Sequence, residues 1–481
     1  MKVNLTGFSL ALFLAVVPTA SASTTWYVDG VNGNDGNNCK SSTTACKTIG
    51  HTISLASSGD SVSVAAATYV ERLTINISLH VTGSGAATTI IDGGGINTVV
   101  TISNTQASVT LSKLTIRNGV ARAFFGGLGE GGGIFNLGKL TVSNSTISGN
   151  EVIRGSCANV CTLRGGGIFN VGTLTINNST ISGNSANFDI ICGNMSYCTA
   201  IGGGLYNGGT LTVSNSTITG NTDICSGEFC TNDGAGIKAA SGTVEINNTT
   251  ISGNSGARYG GGISNCCVTV ATVILQNSIV ASNSGGNCFG TMTSNGYDLS
   301  SDDTCNFNGP GDLNNTDPKL GPLKNNGGPT QTQALLSGSP AIDAGNPNGC
   351  TDGRGRLLKT DQRGAPRPDK EDTAGCDMGA YESQSDLDVS SPATNSKEGD
   401  LLAEPSPFCF RNCRHYGYCE VQWVNGQWQT DGRCTSHNQV GFCDVQTSSN
   451  CPNGKPPLRF SLTTCGGLAS DTVDLARSCS F

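Results

Sequence analysis

One segment of this sequence occurs four times with few changes and a fifth time in a looser form. The copies are GGGIFNLGKLTVSNSTISGN (131–150), GGGIFNVGTLTINNSTISGN (165–184), GGGLYNGGTLTVSNSTITGN (202–221) and GAGIKAASGTVEINNTTISGN (234–254), followed by GGGISN from Gly260 and TVILQNSIVASN (272–283). Each copy holds three short alternating runs separated by Asn and Gly corners, which is too little to bury a core alone. Stacked copies can bury one together, as in a solenoid. The repeat therefore predicts an all-β fold, a parallel β-helix, right-handed as crossovers between parallel strands normally are.

Equivalent residues of successive copies should stack in columns along this helix. The predicted apolar columns are Leu140, Leu174, Leu211, Val244 and Val273; Val142, Ile176, Val213, Ile246 and Leu275; and Ile147, Ile181, Ile218 and Ile251, continued by Ile279. A fourth column contains one Asn from each copy: Asn144, Asn178, Asn215, Asn248 and Asn277. Asn tolerates the left-handed backbone of a tight corner. We also expect the amides of this column to form a ladder, each bonding its neighbour about 4.8 Å away.

The length of the repeat varies only between SGN of one copy and GGG of the next. Insertions at the same corner of every coil project from one side of a solenoid. A binding surface is therefore expected on that side.

The first 22 residues have the features of a secretory signal peptide. Lys2 precedes an apolar run around Phe8–Val17, and Ala20-Ser-Ala22 resembles a cleavage site. The run is too short to span a membrane, and no later stretch is long enough and apolar enough to do so. We expect a secreted, extracellular or cell-surface protein without a membrane span. The net charge of −8 also argues against nucleic acid or an anionic membrane as partner.

The chain contains 22 cysteines, an even number that favours disulfides in an exported protein. Many lie close together in sequence, several within the variable loops. The pairs we predict are Cys39–Cys46, Cys157–Cys161, Cys192–Cys198, Cys225–Cys230, Cys288–Cys305 and Cys350–Cys376. The partners of adjacent Cys266 and Cys267 stay open, because neighbouring Cβ vectors diverge.

Changes of composition along the chain predict further divisions. The predicted segments are a signal peptide (1–22), an N-terminal cap with a short amphipathic helix (23–85), the β-helix (86–320), a Pro- and Gly-rich C-terminal cap (321–383), a polar linker (384–407) and a small cysteine-rich module (408–481). The connectivity of the cysteines in the last segment cannot be deduced from sequence.

The repeat, together with SPAIDAGNP, DQRGAPRP and CDMGAYE near its end, resembles bacterial β-helix surface proteins with a choice-of-anchor Q domain. These are similar in turn to polymorphic outer-membrane-protein repeats and the pectate-lyase-like superfamily. The resemblance covers residues 25–383 and implies a right-handed parallel β-helix in an exported, cell-surface setting. It leaves the chemistry open, because that scaffold carries lyases, hydrolases, epimerases and adhesins. A cysteine-rich module stands where an anchoring segment often follows in the family.

Carboxylates in the variable loops are the candidates for catalysis on a polysaccharide. Polysaccharide-cleaving β-helices use clustered carboxylates, with Ca²⁺ or with an Arg or Lys base. Stacking could bring Asp189, Asp223 and Asp233 together. Their irregular spacing also fits scattered charges that keep a Gly-, Asn- and Ser-rich surface soluble.

The segment DGVNGNDGNN places oxygen ligands at close intervals near the N-terminus. Asp29, Asn34 and Asp35 could bind Ca²⁺, the one cofactor the sequence suggests. The segment lacks the closing Glu of a calcium loop, and Asn-Gly and Asp-Gly are also ordinary turn formers.

Aromatic residues gather in the cysteine-rich module. Tyr416, Tyr418, Trp423 and Trp428 could form a stacking platform for sugar rings. They could equally be the core of a small domain that has few other large side chains.

Two functional hypotheses follow. The first is a binding, adhesive or structural protein that recognises polysaccharides or cell-surface glycans. The alternative is a polysaccharide lyase or glycoside hydrolase acting in a groove along the loops.

Overall fold

The computed structural model describes the polypeptide in a series of ranges. These are residues 23–124, 127–156, 160–188, 197–225, 230–266, 271–352, 355–369 and 375–384, with the backbone of several strands between residues 421 and 474. The chain divides into two compact units, Met1–Asp388 and Val389–Phe481. The predicted signal peptide and linker lie outside the described residues.

The first unit is a parallel β-helix in which each coil contributes one strand to each of three sheets. Sheet I has ten strands: Thr25–Val28, Asp60–Val64, Leu79–Gly83, Ser108–Ser112, Lys139–Ser143, Thr173–Asn177, Thr210–Ser214, Thr243–Asn247, Thr272–Gln276 and Thr293–Ser294. Sheet II has nine: Ala67–Val70, Thr89–Asp92, Thr115–Arg117, Thr146–Ser148, Thr180–Ser182, Thr217–Thr219, Thr250–Ser252, Ile279–Ala281 and Leu299–Ser300. Sheet III has eight: Leu73–Thr74, Val100–Ile102, Ile134–Asn136, Ile168–Asn170, Leu205–Asn207, Ile237–Ala239, Ile263–Asn265 and Cys288–Gly290.

The apolar columns stack in the register that the repeat predicts. Leu140 pairs with Leu174 and Leu174 with Leu211, and all three are fully buried. The Ile147 column differs from the prediction at its last member: Ile251 pairs with Val280, and the predicted Ile279 pairs with Thr250. The α-helix Ile49–Leu55 and the short 3₁₀ helix Ser42–Thr44 precede the main stack, where a cap was expected.

The Asn column at the corner has the predicted backbone but not the predicted ladder. Asn144, Asn178 and Asn215 have φ near +49°, the left-handed conformation. Among the described residues of this column, the amide-to-amide bond is found only between Asn277 Nδ2 and Asn248 Oδ1, at 2.8 Å. The prediction of a continuous ladder there is wrong, because Asn215 and Asn248 instead donate to carbonyls of the C-terminal segment.

Amide ladders do form, at two other positions of the repeat. One uses the Asn of each SGN, with Nδ2–Oδ1 distances of 3.0, 3.0, 2.9 and 2.9 Å along Asn150, Asn184, Asn221, Asn254 and Asn283. The other uses the last residue of the sheet III strand, at 2.7 and 2.6 Å along Asn136, Asn170 and Asn207. These side chains are buried, so each amide satisfies the hydrogen bonds of the next coil inside the core.

The variable loops are not irregular: they form two further parallel sheets of four strands each. Sheet IV consists of Val120–Ala123, Glu151–Arg154, Ser185–Asn187 and Thr222–Ile224, and sheet V of Leu128–Glu130, Val160–Arg164, Tyr197–Ile201 and Cys230–Asp233. We call these two sheets the flange. They enclose a small hydrophobic core of their own, which includes Val152, Leu163 and Phe188. Cys161, Cys198 and Cys230 lie in register within that core.

Four of the predicted disulfides are present in the described ranges: Cys39–Cys46, Cys225–Cys230, Cys288–Cys305 and Cys350–Cys376. Cys161, Cys198 and Cys266 are also disulfide-bonded. The predicted partners Cys157 and Cys192 lie outside the described residues.

Residues 320–384, which we call the cover segment, run back along the side of the helix. Thr180 Oγ1 donates to the carbonyl of Gln331, and Thr217 Oγ1 donates to Gln362 Oε1 at 2.7 Å. Arg367, fully buried, donates to Glu382 Oε2 at 2.7 Å and to Asn215 Oδ1 at 2.9 Å. The predicted cap therefore also covers the outer side of sheet II over several coils.

In the second unit the described backbone is antiparallel. Val421–Val424 pairs with Gln427–Thr430, Cys434–Ser436 with Gln439–Gly441, and Leu458–Thr463 with both Cys443–Thr447 and Ser470–Asp474. Among the described residues, no helix is long and apolar enough to cross a membrane.

Candidate functional site

The flange joins the β-helix at a corner made of glycines. Sheet V passes into sheet III through the GGG of each copy, whose first glycine has a positive φ, +66° at Gly165. A Cβ on Gly166 would lie 2.2 Å from the carbonyl oxygen of Ser185 and 2.5 Å from that of Gly203. The corner therefore favours glycine at its first position for backbone conformation, and at its second position for close packing in this coil, whereas the fourth copy accommodates Ala235 at that second position.

Across this corner the outward side chains of sheets V and III meet and form what we call the trough. Its wall comprises Leu128, Glu130, Val160, Arg164, Tyr197, Ile201, Asp233 and, in the next coil, Tyr259. Its floor comprises the column Phe135, Phe169, Tyr206, Lys238, Ser264 and Phe289.

The floor begins with an aromatic stack. The rings of Phe135 and Phe169 lie 5.2 Å apart, as do those of Phe169 and Tyr206, and both pairs are nearly parallel. The Arg164 guanidinium lies 5.3 Å from the Tyr206 ring and donates to Glu130 Oε1 at 3.2 Å. Burial raises the pKa of Glu130, although Arg164 acts in the opposite direction.

A cleft of about 480 Å³ opens at the N-terminal end of the trough. The first flange strands have no flange strand before them, so the ends of both flange sheets are uncovered there. The cleft is lined by Ile96, Asn97, Thr98, Val120, Ala121, Arg122, Phe124, Leu128, Glu130 and Phe135. It therefore combines exposed apolar and aromatic groups with a guanidinium, a carboxylate and an amide.

The most exposed aromatic side chains concentrate on this side of the molecule. Among the described residues, the large aromatic groups classed as exposed are Phe124, Tyr197, Tyr259 and Phe289, with 56%, 64%, 43% and 37% of their surface accessible. All four line the cleft or the trough. Water-exposed aromatic faces confined to one concave surface are typical of a binding site.

Of the predicted catalytic carboxylates, Asp223 and Asp233 lie close enough to repel each other, but they occupy different faces of the flange. Asp189 lies outside the described residues. Asp223 is fully buried in the flange, where burial and then repulsion from Asp233 raise its pKa well above the ordinary value. A polysaccharide in the trough could not contact this carboxylate without rearrangement of the flange.

Asp233 does face the trough, where it is paired. Its Oδ2 accepts a hydrogen bond from Lys238 Nζ at 2.9 Å, and both side chains are largely buried. Lys238 also donates to Ser264 Oγ at 3.2 Å. Lys238 follows Tyr206 in the floor column. In its coil an ion pair therefore joins wall and floor, whereas in the coil before it the floor residue Tyr206 contacts Arg164 of the wall.

The residues predicted to bind Ca²⁺ accept hydrogen bonds from nearby backbone groups. Asp29 accepts hydrogen bonds from the backbone of Val31 and Asn32, which lower its pKa. Asp35 Oδ1 accepts hydrogen bonds from the backbone N–H groups of Lys47 and Thr48 at 2.8 and 2.9 Å. Asn34 Oδ1 accepts one from the backbone N–H of Gly36.

One cluster of metal-ligand types does come together in the N-terminal cap. Of the residues described, the set of three or more such groups within 4.8 Å of one another is Cys39, Cys46 and His51. The two sulfurs form a disulfide with each other, so neither is a thiolate that could bind a metal.

The predicted aromatic platform lies in the second unit. Tyr416 and Tyr418 are outside the described residues, while Trp423 and Trp428 occupy opposed positions in an antiparallel strand pair. Sequence reasoning did not single out the Phe135 column, although it is visible in the repeat: the position before the strand-ending Asn reads Phe, Phe and Tyr in successive copies.

No protein-family profile matches this chain, and no curated protein matches it in sequence. Its fold is similar to that of pectate lyase Pel9A, with 14% identity, 76% of this chain and 97% of that chain covered, and a TM-score of 0.39. It is also similar to pectin methylesterase PemA from Erwinia chrysanthemi (13% identity, 60% and 82% covered, TM-score 0.24) and to GH136 lacto-N-biosidase from Eubacterium ramulus (10%, 58% and 64%, 0.25).

Proposed function

We propose that this protein is an exported glycan-binding protein whose binding surface is the trough and the cleft at its N-terminal end. The observation that carries the proposal is the confinement of the exposed aromatic side chains Phe124, Tyr197, Tyr259 and Phe289, among the described residues, to that surface. Solitary exposed apolar groups are ordinary on a protein surface, but several exposed aromatic groups along one side of the molecule indicate an interaction surface.

The chemistry of the cleft suits a sugar ring. A sugar has apolar C–H faces that pack on Phe124 and Phe135, and hydroxyl groups around its edge. Glu130 can accept hydrogen bonds from hydroxyls, Arg122 can donate to them, and Asn97 can do both. An apolar lining with a few convergent polar groups is typical of a specific ligand site.

A polysaccharide lyase or hydrolase is the second candidate, favoured by the raised pKa of half-buried Glu130, which suits a general acid. The next carboxylate of the same column is Asp233, three coil steps away. Three steps of about 4.8 Å give roughly 14 Å, more than the ~5–10 Å between the two carboxylates of a glycosidase. Both groups are also paired with cations. The geometry therefore favours binding over cleavage.

The setting and the accessory sites are part of the proposal. The disulfides support an oxidising, extracellular or cell-surface location. Export by the segment 1–22, an adhesive role and membership of the choice-of-anchor Q proteins rest on the sequence. So do a Ca²⁺ ion at the loop 29–38 and a second glycan platform in the module 408–481.

The test is a glycan array probed with the full chain and its variants. We expect Phe124→Ala and Phe135→Ala to abolish retention of the glycans bound by the unaltered protein. Val70→Ala, which truncates an exposed apolar side chain on sheet II, should bind as the unaltered protein does. Retention of no glycan, or equal retention by all variants, would overturn the binding proposal.

A parallel assay addresses the enzymatic alternative. The full chain is incubated with uronic-acid and neutral polysaccharides, and reducing ends and unsaturated products are measured. We expect no turnover. Turnover abolished by Glu130→Gln or Asp233→Asn would replace the binding proposal with the enzymatic one.

A further inference from the structure

The trough has a second aromatic site at its C-terminal end. The rings of Tyr259 and Phe289 stack with their centroids 4.8 Å apart, one from the wall and one from the floor. Both are exposed, so their free faces are available to a ligand. The Arg258 guanidinium lies 5.4 Å from the Tyr259 ring.

The register connects this site to the first one. Phe135 and Phe289 belong to the same floor column and are separated by five coil steps. Five steps of about 4.8 Å place the two aromatic sites roughly 24 Å apart along the helix axis. A ligand that contacts both must be an extended chain lying lengthwise in the trough.

The two carboxylates of the trough are each paired with a cation. Glu130, which also lines the N-terminal cleft, is paired with Arg164, and Asp233 is paired with Lys238. At the two ends, Arg122 and Arg258 make no salt bridge with any residue that the structure describes. Each terminal site therefore combines an exposed aromatic group with a guanidinium that is not paired with a carboxylate of the described residues.

We propose that the trough holds a linear anionic polysaccharide lengthwise, with an aromatic-and-arginine site gripping the chain at each end. The inference rests on the proposed function and adds the polymer's shape, its charge and a second contact point. Arg is suited to the task because its planar fork of donors matches a carboxylate, while the neighbouring aromatic ring packs on the sugar.

Two sites on one rigid scaffold imply a dependence on chain length. An oligosaccharide shorter than the separation can occupy only one site at a time. One that spans roughly 24 Å engages both, and the second contact becomes intramolecular, which commonly raises affinity by 10²–10⁴ when the geometry matches. Some of that gain is lost in ordering a flexible chain, so we expect a rise of at least about tenfold.

The experiment is isothermal titration of the full chain with alginate oligosaccharides of increasing length, alginate being a linear polyuronate. We expect a rise of at least about tenfold in affinity once the oligosaccharide spans both sites, and weaker binding at high salt. Phe289→Ala and Arg258→Gln should remove that rise and lower the number of short oligosaccharides bound per chain from two to one. Arg356→Gln, at an exposed ion pair in the cover segment, is the matched control and should change neither.

The outcomes separate this inference from the proposed function. Short-oligosaccharide binding that is lost in Phe124→Ala, without any length dependence or effect of Phe289→Ala, would overturn the lengthwise site and keep the glycan-binding cleft. Equal affinity for carboxyl-reduced alginate would overturn the requirement for negative charge. Binding of no alginate or reduced alginate oligosaccharide at any length would overturn the inference, while the glycan array decides the proposed function separately.

Discussion

Replacing Asp223 by alanine should stabilise the protein. Asp223 lies in register with Ala186, which in turn lies in register with Val152, so a carboxylate occupies a column that is apolar in the preceding coils. The side chain is fully buried, and neither carboxylate oxygen accepts a hydrogen bond of good geometry, although the backbone amides of Gly203 and Gly202 lie close enough to oppose the rise of its pKa. The substitution Asp223→Ala restores the composition of the column.

The size of the effect follows from the missing partners. A buried polar group without a hydrogen bond costs about 1–3 kcal/mol, and we expect Asp223→Ala to recover a gain of that order at neutral pH. The alanine leaves little empty space, because Ala186 is accommodated at the same position one coil earlier. Asp233→Ala should have the opposite sign, since it leaves the largely buried Lys238 unpaired, at a cost of about 3 kcal/mol.

The gain should also depend on pH. The folded pKa of Asp223 is raised above its ordinary value of 3.8, so above pH 3.8 the unfolded chain loses this proton before the folded protein does. The stability of the unaltered protein therefore falls as pH rises through that interval, by at most about 1.4 kcal/mol per pH unit from this group. Asp223→Ala removes this contribution, so its advantage should grow from acid to neutral pH.

Denaturant unfolding from pH 4 to pH 8, with hydrogen exchange of the flange strands as a local readout, measures both effects. Destabilisation by Asp223→Ala of more than about 1 kcal/mol, or a gain that is independent of pH, would refute the reasoning. Either result would mean that the carboxylate is ionised and bound to a partner.

The cover segment and the ladders give three further predictions. Arg367→Ala should cost about 3–5 kcal/mol, because it leaves the buried acceptors of Glu382, Asn215 and Gly379 without their donor. Burial already raises the pKa of Glu382 to about 8, so loss of the guanidinium also favours protonation of this carboxyl. Arg356→Gln at an exposed ion pair should cost less than about 1 kcal/mol in the same denaturant titration, and similar costs for the two variants would contradict the importance of the buried pair. Asn184→Gly should lower thermal stability, because the amides of Asn150 and Asn221 each lose a buried hydrogen-bond partner, at a cost of about 1–3 kcal/mol for each group. Asn144→Gly should be nearly neutral, because glycine readily adopts the φ of +49° found there. A larger loss of stability in Asn144→Gly than in Asn184→Gly would support an amide ladder at the corner instead. Gly166→Ala should lower the melting temperature, because its Cβ would lie 2.2 Å from the carbonyl oxygen of Ser185, but it should not prevent folding, because the fourth copy carries Ala235 at the equivalent position. An unchanged melting temperature would contradict the close packing at that corner.

Much of the β-helix could be predicted from sequence, because its coils repeat. A column such as Leu140, Leu174 and Leu211 is visible as identical letters at fixed offsets, and buried side chains that stack on their own equivalents tolerate little variation. The direction of an Asn side chain is not visible in that way. Asn144 and Asn150 recur equally often, yet Asn150 belongs to a buried amide ladder, whereas the equivalents of Asn144 at positions 215 and 248 donate to the cover segment.

The flange and the cover segment could not be derived from the repeat. The flange strands differ in sequence from coil to coil, and their core mixes small side chains such as Ala186 and Ala200 with large ones such as Phe188, so no column of identical residues marks it. The contacts of the cover segment join residues more than a hundred positions apart, such as Arg367 and Asn215, and no local pattern encodes them. The Phe135 column was present in the repeat, but strand alternation alone did not mark it as part of a trough.

The return of the cover segment changes how the molecule is held together. In a simple solenoid each coil touches only its neighbours, so the array can fray from either terminus one unit at a time. Here the cover segment is hydrogen-bonded to Thr180, Thr217 and Asn248, which belong to three different coils, so it also links coils that are not neighbours. Those coils must open together or not at all. During synthesis these coils lack the contacts of the cover segment until residues 330–382 have left the ribosome.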